Sequence, residues 1–373
     1  MTIFVPFTAP GDRVRVRVVD QRRRFARAEM IELLKPGEAR VEPVCPYHGR
    51  CGGCSWQHLD YSTQVVAKEN MIRDALERIA GEKCATRIAF ASSPVEYGYR
   101  VRTRMLAGAK GLGYRERASH TLCAVDECPV LVPSLQSEVE RVASVIRDSA
   151  SQKGSAEMQE WELVADTDGR ARSTPLPIDM AEGGLRSSFV SHFEIEGKRL
   201  EVSPGSFVQA NGAMHGLLYQ SVLEQVGEGD RALELHAGAG FFTLGLVDRF
   251  RQLDVIESSP SAVADLRCNL AKVGAKGLRI LAARAESVVP EKVEGFPDCV
   301  LMDPPRSGLP LSLLEGVAEL NPTRIVYLSC DPATWARDLA RFADRGYSVQ
   351  RVQGFDLFPQ TPHVEVLATL IRD

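Results

Sequence analysis

No stretch of this chain is apolar for the length needed to span a bilayer, and no charged segment followed by a short apolar core opens it as a secretory leader would. Its nine cysteines therefore need not form disulfides, and cytoplasmic residence is expected, with no membrane and no obligate protein partner. A net positive charge is also missing: 45 Lys and Arg stand against 49 Asp and Glu. The deficit is uneven, since residues 1–120 carry 21 basic and 13 acidic side chains while residues 121–373 carry 24 and 36. Contact with a polyanion, if made, belongs to the first third. There is no internal repeat and no low-complexity tract. With 373 residues and 44% apolar content the chain exceeds one ordinary core.

The third glycine of a dinucleotide fingerprint is likewise absent. In Ala232-Leu-Glu-Leu-His-Ala-Gly-Ala-Gly-Phe-Phe-Thr243, an apolar strand enters a turn at His236, Gly238 and Gly240 allow close backbone approach, and Thr243 stands where the third glycine would. Seventeen residues beyond Gly240, Glu257 ends a second short apolar run, placed to accept hydrogen bonds from a ribose. A solvated surface glutamate fits that spacing equally well.

Two further strand ends carry chemistry. Cys330 follows Val326-Tyr-Leu-Ser and precedes Asp-Pro, where an open α/β sheet presents a nucleophile at its ligand crevice. Leu301-Met-Asp-Pro-Pro-Arg306 repeats the layout with an acidic residue, Asp303. A lone cysteine is more often a small buried hydrophobe. Three more thiols, Cys45, Cys51 and Cys54, fall within ten residues, and Gly52 and Gly53 let the chain curl about a small inorganic centre. Cys128, in a Cys-Pro pair like Cys45-Pro46, is the best fourth ligand, with Cys123 the alternative. Four thiolates suit a [4Fe-4S] cluster or tetrahedral zinc, and a three-plus-one spacing leans towards iron and sulfur.

Together these segments resemble the RumA/TrmA family of S-adenosylmethionine-dependent RNA (uracil-5-)methyltransferases, and within it the iron-sulfur rRNA branch. The resemblance runs through Cys45-x5-Cys51-Gly-Gly-Cys54-x2-Gln57-His58, Tyr99-Arg-Val-Arg102, Ser206-Phe-Val-Gln-Ala-Asn211, the glycine loop, Asp303-Pro-Pro-Arg306, Ser329-Cys-Asp-Pro-Ala-Thr334 and Phe358-Pro-Gln-Thr-Pro-His-Val-Glu365. It covers the chain from about residue 40 to its end.

The resemblance implies a Rossmann-like class I methyltransferase fold, S-adenosyl-L-methionine and a [4Fe-4S] cluster as cofactors, and RNA, with 23S rRNA the expected one, as substrate. Cys330 would add to uracil C6, and Glu365 would remove the C5 proton. Gln209, His236, Gly238, Gly240, Phe241, Glu257 and Asp303 would hold the cofactor; Cys45, Cys51, Cys54 and Cys128 would hold the cluster. A tRNA uridine is the alternative target. Methylation of an exocyclic base amine is a second alternative, because Asp-Pro-Pro-Arg resembles the turn that receives a base amino group; such turns end in an aromatic, and this one ends in Arg306. His236-Ala237 and Phe241-Phe242 depart from the family's usual loop residues.

The expected architecture is α/β: residues 1–43 a short TRAM-like β unit, 44–200 a central iron-sulfur α+β domain, 201–373 the methyltransferase domain. Thr2-Ile-Phe-Val-Pro-Phe7 reads as the second strand of the small barrel, its opening strand missing. A helix is expected over Tyr61–Ala80 with Val65, Ile72, Leu76 and Ile79 on its inner side, short strands over 85–200, and a surface loop over Asp148–Ser155. Strand alternation places Arg13, Arg15 and Arg17 on one face, and Arg100, Arg102 and Arg104 on another, as candidate phosphate contacts; Trp56 and Tyr99 are candidate stacking aromatics.

Overall fold

The computed structural model describes residues 1–81, 84, 86–153, 158–176 and 190–373. Three strands open the chain, β1 (Thr2–Phe4), β2 (Arg13–Gln21) and β3 (Phe25–Lys35), forming a sheet in which β3 lies between the other two. Its arginine stripe is answered across the ladder: Arg15 pairs with Glu32, and Arg17 with Glu29 at 2.8 Å. Two of the three expected phosphate contacts are thus in exposed ion pairs with their own sheet, while Arg13 stands opposite Lys35.

The cysteine-bearing loop leads into α1 (Tyr61–Ala75), which continues through a π-helical turn at Leu76–Ala80. Asp60 starts the helix, its carboxylate accepting from Thr63 N at 2.7 Å, and Gly81 ends it at φ +81°. The inner side differs from the sequence expectation. Gln64, Lys68, Ile72, Ala75 and Leu76 are buried, whereas Val65 is half-buried and Ile79 is exposed. Polar side chains on a buried face were not legible from apolar periodicity.

After β4 (Ile88–Ala91) comes an antiparallel sheet of β5 (Arg102–Gly108), β6 (Gly111–Arg115), β7 (Leu122–Ala124), β8 (Gln159–Ala165) and β9 (Ala171–Leu176). Its inner face packs on α2 (Pro133–Lys153) through Leu135, Val139, Val142 and Ala143. This helix corrects the expectation of strands alone over 85–200. It also corrects the expected loop at 148, since the polar run through Lys153 is the helix's last turn; residues 154 and 155 lie outside the described part.

Then follow a hairpin, β10 (Ser191–Ile195) and β11 (Lys198–Val202), and α3 (His215–Val226). Beyond them strand and helix alternate: β12 (Gly229–Leu235), α4 (Thr243–Leu246), β13 (Phe250–Glu257), α5 (Pro260–Lys272), β14 (Leu278–Ala282), β15 (Cys299–Met302), α6 (Leu311–Glu319), β16 (Arg324–Ser329), α7 (Pro332–Ala343), β17 (Tyr347–Phe355) and β18 (Glu365–Arg372). The large sheet has eight strands in the order β14-β13-β12-β15-β16-β18-β17-β4, with β18 antiparallel to both neighbours. Strands covered on both faces read as continuous apolar runs, as Cys-Val-Leu-Met in β15 does. One face is covered by α1, α6 and α7 through Ile72, Leu313, Trp335 and Phe342; the other by α3 and α5 through Leu218, Val222, Leu266 and Leu270. The strand order reverses between β12 and β15, which opens the ligand crevice of a doubly wound sheet there.

Candidate active site

The carboxyl ends of β12, β13, β15 and β16 present the glycine loop, Glu257, Asp303 and Cys330 side by side. Between β12 and α4 the backbone takes left-handed conformations at His236 (φ +62°), Gly238 (φ +58°) and Gly240 (φ +97°). A Cβ on Gly240 would sit 2.8 Å from Leu266, whereas one on Gly238 would meet nothing within 4 Å, so open space adjoins the loop there. His236 has no such licence. A non-glycine side chain in this region stores strain, which is common where a ligand is gripped. Its buried Nδ1 has no partner among the described residues, and burial lowers the imidazole's pKa despite the nearby Glu257.

Glu257 is tied into the loop: its carboxylate accepts from Gly238 N at 2.9 Å and from Ser258 N and Ser259 N at 2.7 Å. Gln209 is buried, its Oε1 without a partner among the described residues, and Phe241 is buried in edge-to-face contact with His215, Tyr219 and Phe242. Sequence reasoning missed Glu234, two residues before His236 on β12. Burial pushes its carboxyl up to about 8, with Asp303 and Glu257 adding to the rise. Its Oε2 meets no hydrogen-bond partner within bonding distance among the described residues, with the Thr243 hydroxyl close by.

Asp303 ends β15 and is pushed up to about 7 by burial. Cys330 follows β16, and Asp331 caps α7 by accepting from Thr334 N at 2.8 Å, with Pro332 at the first helical position. Thr334 Oγ1 in turn donates to Arg306 O at 3.0 Å, fastening the Asp-Pro-Pro-Arg turn to the cysteine turn. Ser329 pairs with Val366, so Cys330 directly follows the last pair of the ladder on one strand and Glu365 directly precedes it on the other. Burial raises the thiol to about 11, helped by the Glu365 carboxylate and opposed by Arg306. Glu365 is buried and held well above the usual carboxylate range by burial and then by Asp303. Buried carboxyls beside a half-buried thiol are poised to pass protons rather than to carry fixed charge.

A cavity of about 600 Å³ adjoins this site, its lining including Arg306, His363, Phe358 and Phe207 as well as Cys45, Cys51, Cys54 and Cys128. Cys123 is instead fully buried in the core against α2. Burial raises the Cys51 thiol to about 11 and the Cys54 thiol to about 12, and mutual repulsion among the thiols adds to both. Among the described residues no three His, Cys, Asp or Glu side chains converge as the ligands of a metal ion do. The gathering of thiols at one cavity is therefore shown, and a finished metal site is not.

Arg100, Arg102 and Arg104 of the second arginine stripe all line this cavity, but they differ in burial and pairing. Arg102 is nearly buried and pairs with Glu162, itself buried, whose other oxygen accepts from Gly205 N at 2.6 Å. Arg104 is half exposed, 3.7 Å from the same carboxylate. Tyr99 is buried, donating to Pro359 O at 3.0 Å, and does not present a stacking face.

The tRNA (uracil-5-)-methyltransferase family model matches residues 171–373. An uncharacterised RNA methyltransferase of Synechocystis is 31% identical over 99% of this chain and 90% of its own length. The 23S rRNA (uracil(1939)-C(5))-methyltransferase RlmD of Alkalilimnicola ehrlichii is 31% identical over 100% of this chain and 92% of its own. In fold, the chain superposes on the Pyrococcus abyssi tRNA (uracil-54, C5)-methyltransferase with a TM-score of 0.78, 24% identity, and coverage of 99% and 96% of the two chains. The curated relatives span the whole chain at about this identity and the family model covers more than half of it, so the chain belongs to the tRNA (uracil-5-)-methyltransferase family and is an RNA (uracil-5-)-methyltransferase.

Proposed function

We propose that this enzyme transfers a methyl group from S-adenosylmethionine to C5 of a uridine in 23S rRNA, through a covalent bond between Cys330 and uracil C6. The observation that carries the covalent reading is the placement of Cys330 and Glu365 directly beside the last pair at the open end of the β16–β18 ladder. Curated relatives of full length named for 23S rRNA support the substrate. A tRNA uridine, the target for which the Pyrococcus abyssi enzyme is named, is the second reading. Arg306, not an aromatic, at the end of the Asp-Pro-Pro turn speaks against an exocyclic amine. Mapping 5-methyluridine in rRNA and tRNA from cells with and without the gene separates the two: loss from 23S rRNA alone is expected, and loss from tRNA alone refutes the assignment.

Gln209 Oε1 and His236 Nδ1, both buried and without a partner among the described residues, together with Gly238, Gly240, Phe241, Glu257 and Asp303, form the cradle proposed for S-adenosylmethionine. That cofactor supplies an electrophilic methyl group. Uracil C5 is a weak nucleophile until the Cys330 thiolate adds to C6 and pushes electrons to C5. Glu365 then takes the C5 proton, so that the C5–C6 double bond re-forms and the sulfur leaves. Burial raises the affinity of Glu365 for a proton, the direction in which a general base gains driving force.

Cys45, Cys51, Cys54 and Cys128 are proposed to hold a [4Fe-4S] cluster. Four thiols lining one cavity, with Gly52 and Gly53 allowing the loop to curl, fit that donor set; a polynuclear centre spaces its thiolates more widely than a single ion does. The cluster would supply a rigid tie between the cysteine loop and the segment carrying Cys128. The divisions 1–43, 44–200 and 201–373 remain a proposal of functional units.

A further inference from the structure

Nine residues join β17 to Glu365, and nearly everything that holds them comes from one distant part of the chain. Asp356 N donates to Ala91 O at 2.9 Å. Lys68 Nζ donates to Asp356 Oδ1 at 2.5 Å and to Phe358 O at 2.9 Å. Tyr99 supports Pro359 through its hydroxyl. Gln360 is gripped three times: its N donates to Gln64 Oε1 at 2.8 Å, its side-chain oxygen accepts from Gln64 Nε2 at 3.0 Å, and its O accepts from Trp56 N at 3.0 Å. Every longer-range hydrogen bond of residues 356–364, among the described residues, thus goes to residues 56–99.

The two polar side chains on the buried face of α1 are the centre of this grip. Lys68 and Asp356 are both fully shielded from solvent. A buried ion pair contributes little net stability compared with an apolar pair of the same size, so its presence asks for another role. Gln360, moreover, sits at φ +70°, a conformation that a glutamine keeps only when its surroundings dictate it. Directly after this stretch come His363, which lines the cavity beside Arg306, and Glu365.

We infer that Lys68 and Gln64 are positioning residues: they fix the loop that aims Glu365 at the uracil C5 proton, and so couple the segment behind the cysteine loop to the last step of the reaction. The inference rests on the covalent reading above. Neither residue touches the reacting atoms, and neither is expected to affect addition of Cys330 or binding of S-adenosylmethionine.

The full-length enzyme tests it with two variants, Gln64→Ala and the double variant Lys68→Met with Asp356→Leu, which keeps the volume and removes both charges. Each is assayed for three quantities: trapping on 5-fluorouridine RNA, resolution of the methylated adduct on ordinary uridine RNA, and affinity for S-adenosylmethionine. Trapping and affinity should stay within about twofold of wild type, while adduct resolution slows roughly tenfold or more, as expected when a catalytic group is misplaced by a fraction of its reach. Resolution at the wild-type rate in a folded variant overturns the inference. So does an equal fall in trapping, affinity and resolution, which is the mark of a purely structural pair. Failure of the wild-type enzyme to trap at all removes the covalent reading itself, and this inference with it.

Discussion

Cys330 directly follows Ser329 and Glu365 directly precedes Val366, the last residues paired in the antiparallel β16–β18 ladder. In the mechanism proposed above, the two would act on the same face of one ring, Cys330 at C6 and Glu365 at C5. Burial raises the thiol's pKa, and the Glu365 carboxylate adds to the rise.

Covalency is the first expected outcome. RNA carrying 5-fluorouridine should form a denaturation-resistant adduct with the enzyme, because fluorine cannot leave C5 as a proton does. Cys330→Ala should abolish adduct and turnover together. Glu365→Gln should lower turnover by roughly 10²–10⁴-fold while a methylated adduct accumulates on ordinary uridine RNA, seen as a shifted band on a denaturing gel. Full methylation by Cys330→Ala would refute the mechanism.

The thiol's reactivity should follow pH in a stated direction. With its pKa raised to about 11 by burial and then by Glu365, the thiolate fraction in the free enzyme grows about tenfold per pH unit across the neutral and mildly alkaline range. Alkylation of the Cys330 peptide, followed by mass spectrometry, should climb without a plateau below about pH 9. Arg306→Ala removes a charge that favours the thiolate and should slow alkylation at a given pH. Unchanged or faster alkylation would mean that Arg306 does not govern the thiol.

Arginines that look alike in sequence should behave differently. Arg102→Met strips a buried Glu162 of its partner and slackens its hold on Gly205, so a loss of roughly 3 kcal/mol or more is expected in urea unfolding. S-adenosylmethionine affinity should fall with it, because Gly205 leads into Gln209. Arg17→Gln disturbs an exposed pair and should cost less than about 1 kcal/mol. Comparable losses from both would remove the distinction.

Anaerobic purification should give a brown protein with about four irons per chain, and Cys51→Ser or Cys128→Ser should lose them. Cys123→Ser should retain iron, since that thiol lies in the core rather than on the cavity wall. Stoichiometric zinc without iron would sink the cluster.

The sequence by itself determined the elements whose signal is local. Apolar runs ending in Asp303 and Cys330, the turn glycines 238 and 240, and the Asp-Pro cap of α7 specify strand ends and a doubly wound sheet, because strand periodicity and turn chemistry act over a few residues. Motif resemblance added Glu365, which periodicity alone reads as the start of a last strand. Tertiary structure decided what depends on partners far away in the chain. That Arg102 meets a buried carboxylate while Arg15 and Arg17 stay in exposed pairs depends on Glu162, Glu32 and Glu29, none of them adjacent in sequence. The buried face of α1 carries Lys68 and Gln64 because Asp356 and Gln360, nearly three hundred residues on, satisfy them. A charge's surroundings fix its protonation and its cost of burial, and those surroundings exist only once the chain has folded.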